Sequence, residues 1–259
     1  NREDFEAKWN DIKIVIEYGM LSEDKFFDKA DKFALYPTVD GSYFTYDELL
    51  EKIKDAQTDK DGKTVILYAS DKEAQHSYIE TAKAKGYEVL LLDSPIIGHL
   101  MQKLEGSKEN ISFARVDADH IDKLIQKEET QISKLSDEEK ETLKKELEEA
   151  ITDKSFTVQL EAMDSDASPF TITEPEFMRR MKEMQQTGGG MFGMGAMPDM
   201  YNLIVNTNHP LVSEFLNTKT AKKKERLINQ SLDLAKLSKG LLKGKALTEF
   251  IKRSYEMVK

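Results

Sequence analysis

Apolar residues recur along this chain with two periods, one near 3.6 and one near 2, and the changes between them mark out its elements. Near the start, Phe5, Trp9, Ile12 and Ile16 step by four, three and four, a single helical stripe that predicts a helix over 3–20. Ser22 stands where it could cap a second helix carrying Phe26, Phe27, Ala30 and Phe33. Thr45 with Glu48 forms a capping box ahead of Leu49 and Ile53. Residues 1–56 therefore read as a run of helices. The pattern then changes. Continuous apolar runs at 64–70, 87–92 and 111–116 alternate with helical stretches at 71–86 and 94–106. Strands buried on both faces that alternate with helices predict a βαβαβ unit with a parallel sheet.

Residues 117–130 are polar and read as a connection. Beyond it, Ser136 and Glu139 cap a strong helix over 136–150. Phe156, Val158, Leu160 and Ala162 alternate with polar residues as a half-buried strand. DSDASP at 164–169 is turn chemistry, and PFTIT after it reads as a second strand. A helix follows over 174–186, with Pro175 in its first turn. The Gly-rich stretch 187–199 suits no regular element, and NLIVN at 202–206 reads as a third strand. Two last helices, roughly 221–239 and 245–258, flank a turn at Gly240 and Gly244.

Composition narrows the function classes. The 259 residues carry a net charge of −10, a poor balance for coating nucleic acid. The charge is uneven, because residues 219–259 hold 12 Lys plus Arg against 4 Asp plus Glu. The absence of cysteine removes disulfides, thiol catalysis and Cys-ligated zinc, and fits a reducing, cytoplasmic setting. No apolar run approaches the roughly 18 residues of a spanning helix, so no membrane partner is expected. The chain opens NREDFEAKW without an initiator Met, which reads as a portion of something longer.

Methionine is the strongest anomaly. Seven of eleven lie between 178 and 200, and Met178, Met181 and Met184 step by three. Flexible, polarizable Met lines surfaces that accept unlike apolar partners, but Met at helical spacing also builds cores, and both readings stand. The last two helices carry apolar stripes, through Leu227, Ile228, Leu232, Leu234 and Ala235 and through Leu247, Phe250, Ile251 and Val258. These stripes would pack on the preceding sheet or on the same helix pair of a second chain. His76, His99, His120 and His209 show no metal spacing, and Lys222–Lys224 is at most an anion patch. The competing class is an enzyme with a small ligand beyond the strand ends near Ser70, Asp71 and Asp93. The turn at Ala69–Lys72 has no glycine, which argues against a phosphate loop.

Several blocks are specific: DFEAKWNDIKIVIEYGMLSEDKF (4–26), YASDKEAQHSYIETAKAKGYEVLLLDSPI (68–96), RVDAD (115–119), DSDASP with FMRRMKEMQ, and NLIVNTNHPLV (202–212). In these blocks and in the order of its parts, the chain resembles the C-terminal half of the heat-shock protein 90 chaperones, in their bacterial form. The resemblance covers essentially all residues. It implies an α/β plus α+β fold. Residues 1–126 would be the back of a middle domain, with helices 1–56 and a three-layer αβα region 57–126. Residues 127–259 would be a mixed α/β dimerisation domain ending in the helix pair. It implies a chaperone active in stress, an ATP-driven homodimer that clamps partly folded client proteins. ATP and magnesium would sit in an N-terminal domain with no counterpart here, and the ATP-reaching Arg has none either, so this stretch would itself be no enzyme. Client contacts would fall on His99, Leu100 and Gln102 and on Phe177, Met178, Met181 and Met184. Dimer contacts would fall on Leu227, Ile228, Leu232, Leu247, Phe250 and Ile251.

Overall fold

The computed structural model describes residues 1–128, 131–186 and 198–258, without the side chains of 183–186 and 258. In chain order the elements are α1 (Arg2–Ser22), α2 (Asp24–Ala30), β1 (Tyr36–Pro37), β2 (Tyr43–Phe44), α3 (Tyr46–Gln57), β3 (Thr64–Ala69), α4 (His76–Ala84), β4 (Val89–Leu91), α5 (Ile97–Ser107), β5 (Ile111–Arg115) and α6 (Ile121–Leu124). There follow α7 (Asp137–Ala150), β6 (Phe156–Glu161), β7 (Phe170–Thr173), α8 (Glu176–Gln186), β8 (Tyr201–Asn206), α9 (Pro210–Asn217), α10 (Ala221–Ser238) and α11 (Gly244–Val258). Two compact units divide the chain: Asn1–Lys127 with α8, and Glu128–Pro175 with Pro198–Lys259. Among the described residues no helix is long and apolar enough to cross a membrane.

The first unit is built on a parallel sheet of order β4-β3-β5. The period-2 alternation of β3 decides its layers. Ile66 and Tyr68 face a core shared with Trp9, Leu49, Ile53, Leu100 and Leu104 from α1, α3 and α5. Val65, Leu67 and Ala69 face the other way, onto Ile79 and Ala82 of α4 and Ile121 of α6. Helices therefore cover both faces of the sheet, and the ends of its strands are what remains open. Thr45 and Glu48 cap α3 reciprocally, as expected from sequence.

Four local expectations need correction. Ser22 does not cap α2; α1 runs through it, and the Glu23 side chain takes the cap position. The helix expected over 71–86 begins only at His76, because Asp71 accepts hydrogen bonds from the Glu73 and Ala74 amides and closes a turn first. The connection 117–130 is not wholly polar in role: Ile121 and Ile125, four residues apart, are buried on either end of α6. A helix after the last strand, α9, went unforeseen. His209 caps it by accepting from the Leu211 amide at 3.0 Å, and Pro210 opens it.

The second unit has a sheet of order β6-β8-β7, with β6 parallel and β7 antiparallel to the central β8. Its core joins Leu143 and Leu147 of α7, Val158, Ile172, Leu203 and Val205 of the strands, Phe215 of α9, and Ile228, Leu232 and Ala235 of α10. The end of β8 is a hydrogen-bonding hub. Asn206 accepts from the Met163 and Asn208 amides and donates to the Asp164 carbonyl at 2.7 Å. Asn208 accepts from the Lys134 amide and donates to the Ile132 and Met163 carbonyls. Both side chains are buried, so every one of these backbone groups would lose its partner without them.

That hub gives a stability expectation. Asn208→Ala takes the side-chain partner from three backbone groups, of which only the Met163 carbonyl bond is buried, and should cost about 1–3 kcal/mol, the range for one buried group left unsatisfied, with water replacing the partner of the other two. Urea unfolding followed by far-ultraviolet circular dichroism measures it. A loss below about 0.5 kcal/mol, the range of an ordinary surface change, would mean the hub is not structural.

Candidate functional site

The described feature with the shape of a binding site lies in the first unit, where α5, the loop after β4 and α8 enclose a cavity of about 510 Å³. Leu92, Pro95, Ile97, Phe177 and Met181 give it apolar walls, and Ser70, Asp93, His99 and Gln102 stand among them. Phe177 is 70% exposed. Phe177 and Met181 are one helical turn apart, so they share a face of α8.

What fixes α8 is not that apolar pair but its charged side chains, and Arg179 and Arg180, with Tyr68 and Glu105, line the same cavity. Arg179 is only 3% exposed. Its guanidinium donates to the Tyr68 hydroxyl and to the Glu176 carboxylate, and stacks over the Tyr68 ring at 5.5 Å. Arg180 donates through Nε to Glu176 at 2.7 Å, through Nη1 and Nη2 to Glu105 at 2.8 and 3.2 Å, and through Nη2 to the Phe113 carbonyl at 2.8 Å. Glu176 also accepts from the Tyr68 hydroxyl at 3.2 Å and from the Arg115 amide at 3.4 Å.

The electrostatics follow from this geometry. Burial works against the charge on Glu176, but Arg179 and Arg180 overcome it and hold its carboxyl below the ordinary carboxylate value. Burial likewise opposes the Arg180 charge, and the Glu105 and Glu176 carboxylates more than offset it, raising its pKa. The Tyr68 hydroxyl is pushed up, first by burial and then by the nearby Glu176 charge, so it remains a neutral donor.

Tyr68 and Arg115 are paired in register at the carboxyl ends of β3 and β5. In a sheet of this order, that is where the strand connections diverge and where an open α/β sheet ordinarily takes its ligand. Here the first turn of α8 fills it. The expected small-ligand site near Ser70, Asp71 and Asp93 is therefore corrected. The Ser70 and Asp71 amides, which would cradle a phosphate, both donate to the Gln75 side chain, at 2.8 and 3.0 Å. Asp93 accepts from Lys13 at 2.5 Å. The residues present do not fit a nucleotide at these strand ends, and no group of three His, Cys, Asp or Glu suited to a metal occurs among the described residues.

Of the residues singled out from sequence, the cavity brings together His99, Gln102, Phe177 and Met181. Leu100 is 2% exposed and belongs to the core beneath α5. Met178 is half-buried outside the cavity lining, and the side chain of Met184 lies outside the described residues. Sequence reasoning missed the anchors Tyr68, Glu105, Glu176, Arg179 and Arg180. The available signal was an arginine pair inside a Met-rich helix with a Glu three and four residues before it.

In the second unit the last two helices divide differently from their sequence stripes. Ile228 and Leu232 are buried in their own unit's core, and Leu227 packs against it. Phe250 is buried, while Leu247 is half-buried. Leu234 and Leu237 of α10 and Ile251, Tyr255 and Met257 of α11 remain exposed. The pair is joined by polar contacts: Arg253 donates to Gln230 at 2.7 Å and to Asp233, and Gln230 donates to Ser254 at 3.0 Å.

The network around Glu176 makes a measurable claim. Its pKa lies lower folded than unfolded, so its contribution is present above the unfolded value near 4.5 and is lost as pH falls through the lower folded value. Glu176→Gln should lower stability by about 1–3 kcal/mol at pH 7, the range for hydrogen bonds to charged groups. The deficit relative to the unaltered chain should vanish in acid below that region. Trp9, buried in the first unit, reports the transition by fluorescence. A deficit unchanged between pH 7 and pH 3 would contradict the ionic reading.

Comparison with known proteins agrees with this architecture. A family model described as Hsp90 protein matches residues 1–259. The chaperone protein HtpG of Porphyromonas gingivalis is 36% identical over 325 aligned positions, covering all of this chain and 48% of the relative. That of Bacteroides thetaiotaomicron is 37% identical over 333 positions, with the same coverage. A more distant HtpG from Gluconobacter oxydans is 26% identical over 223 positions, covering 80% of this chain and 32% of its own. The chain thus spans about half the length of the curated relatives with the higher identity. With a family model matching it from first residue to last, the chain belongs to the Hsp90 family.

Proposed function

We propose that this chain is the client-binding and dimerising portion of a chaperone of the Hsp90 type, working in the cytoplasm. The observation that carries the reading is α8: its charged face is consumed by the first unit, and its apolar face, Phe177 and Met181, is left to line an open cavity with His99 and Gln102. A helix normally buries its apolar face, and one that presents it instead is suited to recognising apolar surface. Phe supplies area and Met supplies adaptability, so the cavity accepts unlike side chains from partly folded chains. Leu100 supports α5 from below and does not touch clients. The relatives' name, chaperone protein HtpG, supports the same class.

Dimerisation is carried by the exposed rows of the last two helices, Leu234 and Leu237 with Ile251 and Tyr255. Ile228 and Leu232 serve their own unit's core, and Phe250 is buried as well. A two-fold axis would bury each row against its copy and close a four-helix arrangement. Each dimer would then present two α8 cavities. ATP and magnesium, which membership of this family implies for the whole protein, would bind outside the stretch described here. Binding there would act on these cavities only through a difference in affinity between conformational states.

Light scattering and client capture test both halves together. Phe177→Glu with Met181→Glu should weaken capture of a permanently unfolded protein by about tenfold or more, a change of roughly 1.4 kcal/mol per decade, while leaving the dimer mass unchanged. Leu237→Glu with Ile251→Glu should halve the mass at low micromolar concentration. Capture unaffected by the first pair would reject the α8 cavity as the client site. A monomeric unaltered chain would reject the dimer.

A further inference from the structure

We propose that the crevice beneath α8 is an arginine-receiving site of the first unit, filled in cis by Arg179 and Arg180, that a partner segment carrying two adjacent arginines in a helical turn occupies in trans. Tyr68, Glu105, Arg179 and Arg180 line the same cavity as Phe177 and Met181, so the inference rests on that cavity being a binding site, while the preference for arginine over lysine tests it separately from apolar capture.

Part of the receiver is held without any residue of α8. Glu105 lies on α5, and its carboxylate accepts from the Phe113 amide at 2.7 Å, a bond that involves no residue of α8. The same carboxylate takes both ends of the Arg180 fork, and the Phe113 carbonyl takes a third donor at 2.8 Å. Beside it the ring and hydroxyl of Tyr68 receive Arg179. The body therefore supplies a fixed carboxylate, a carbonyl and an aromatic face, spaced for two guanidinium groups. Glu176 is the one acceptor in the group that travels with α8.

Lysine would not substitute. A planar guanidinium offers two parallel donors to a carboxylate and a flat face to an aromatic ring, whereas an ammonium offers a point charge. With α8 lifted away, Glu105 would be left partly desolvated without its cations, an arrangement that is costly until another cation replaces them. The first turn of α8 also sits where a sheet of this topology takes its ligand. α8 is in this sense a tethered occupant, and a segment that copies its inner chemistry competes with it. Such a site would let the first unit distinguish arginine-bearing segments among otherwise similar apolar ones.

The test uses an acetylated, fluorescein-labelled peptide of residues 174–186, EPEFMRRMKEMQQ, and anisotropy against two forms of the whole chain. The form with Arg179→Ala and Arg180→Ala, whose cis occupant is weakened, should bind the peptide at least about tenfold more tightly than the unaltered chain. Replacing both arginines of the peptide by lysine should remove at least about tenfold of that affinity. Adding Glu105→Gln to the double variant should abolish it. Circular dichroism and the melting temperature establish that the double variant is folded; if it is not, Glu176→Gln replaces it with the same expectations. Equal affinity for arginine and lysine peptides, equal affinity of the two chain forms, or no binding to a folded variant would each overturn the proposal.

Discussion

The Glu176 carboxylate, held between Arg179, Arg180 and the Tyr68 hydroxyl, is the interaction on which the candidate site depends. An eleven-residue helix has little stability of its own in water. It persists only where something holds it, and here the holding is done by charge. Buried ion pairs gain little net stability, because desolvation nearly cancels attraction. They are unforgiving of geometry, however, and bidentate arginine contacts fix direction as well as distance. That trade suits a helix whose orientation matters more than its affinity. It also leaves Phe177 and Met181 free to line the cavity.

The parallel sheet prepares this arrangement. Alternation along β3 sends Ile66 and Tyr68 to one layer of helices and Val65, Leu67 and Ala69 to the other. With both faces covered, the carboxyl ends of the strands are the part of the sheet left to receive something. Tyr68, next to last in its strand, carries its hydroxyl to that end and joins core to site. In the second unit the Asn206 and Asn208 hub does comparable work by hydrogen bonds alone. It ties the loops before α7 and after β6 to the end of β8.

Much of this was legible in the sequence. The capping boxes at Thr45 and Ser136, the three strands of the parallel sheet and the last two helices follow from period and cap chemistry alone. The family resemblance points to His99, Gln102, Phe177 and Met181, and these four share one cavity. The misses have physical causes. Leu100 lies two residues from Gln102, and only the packing of α5 decides that one points to the core and the other outward. Tyr68 and Glu105 lie 108 and 71 residues before Glu176, and no period or local pattern links residues so far apart that meet only in three dimensions. The apolar stripe of α10 is wide enough to serve two neighbours, and sequence could not divide Ile228 and Leu232 from Leu234 and Leu237.

Hydrogen exchange at the α8 amides tests the central claim most directly, because a detached helix of this length would exchange nearly as an unfolded chain. The account requires protection in the unaltered chain, its loss in Glu176→Gln, and its retention in Phe177→Glu. Unprotected α8 amides in the unaltered chain, or protection that depends on Phe177 and ignores Glu176, would contradict it.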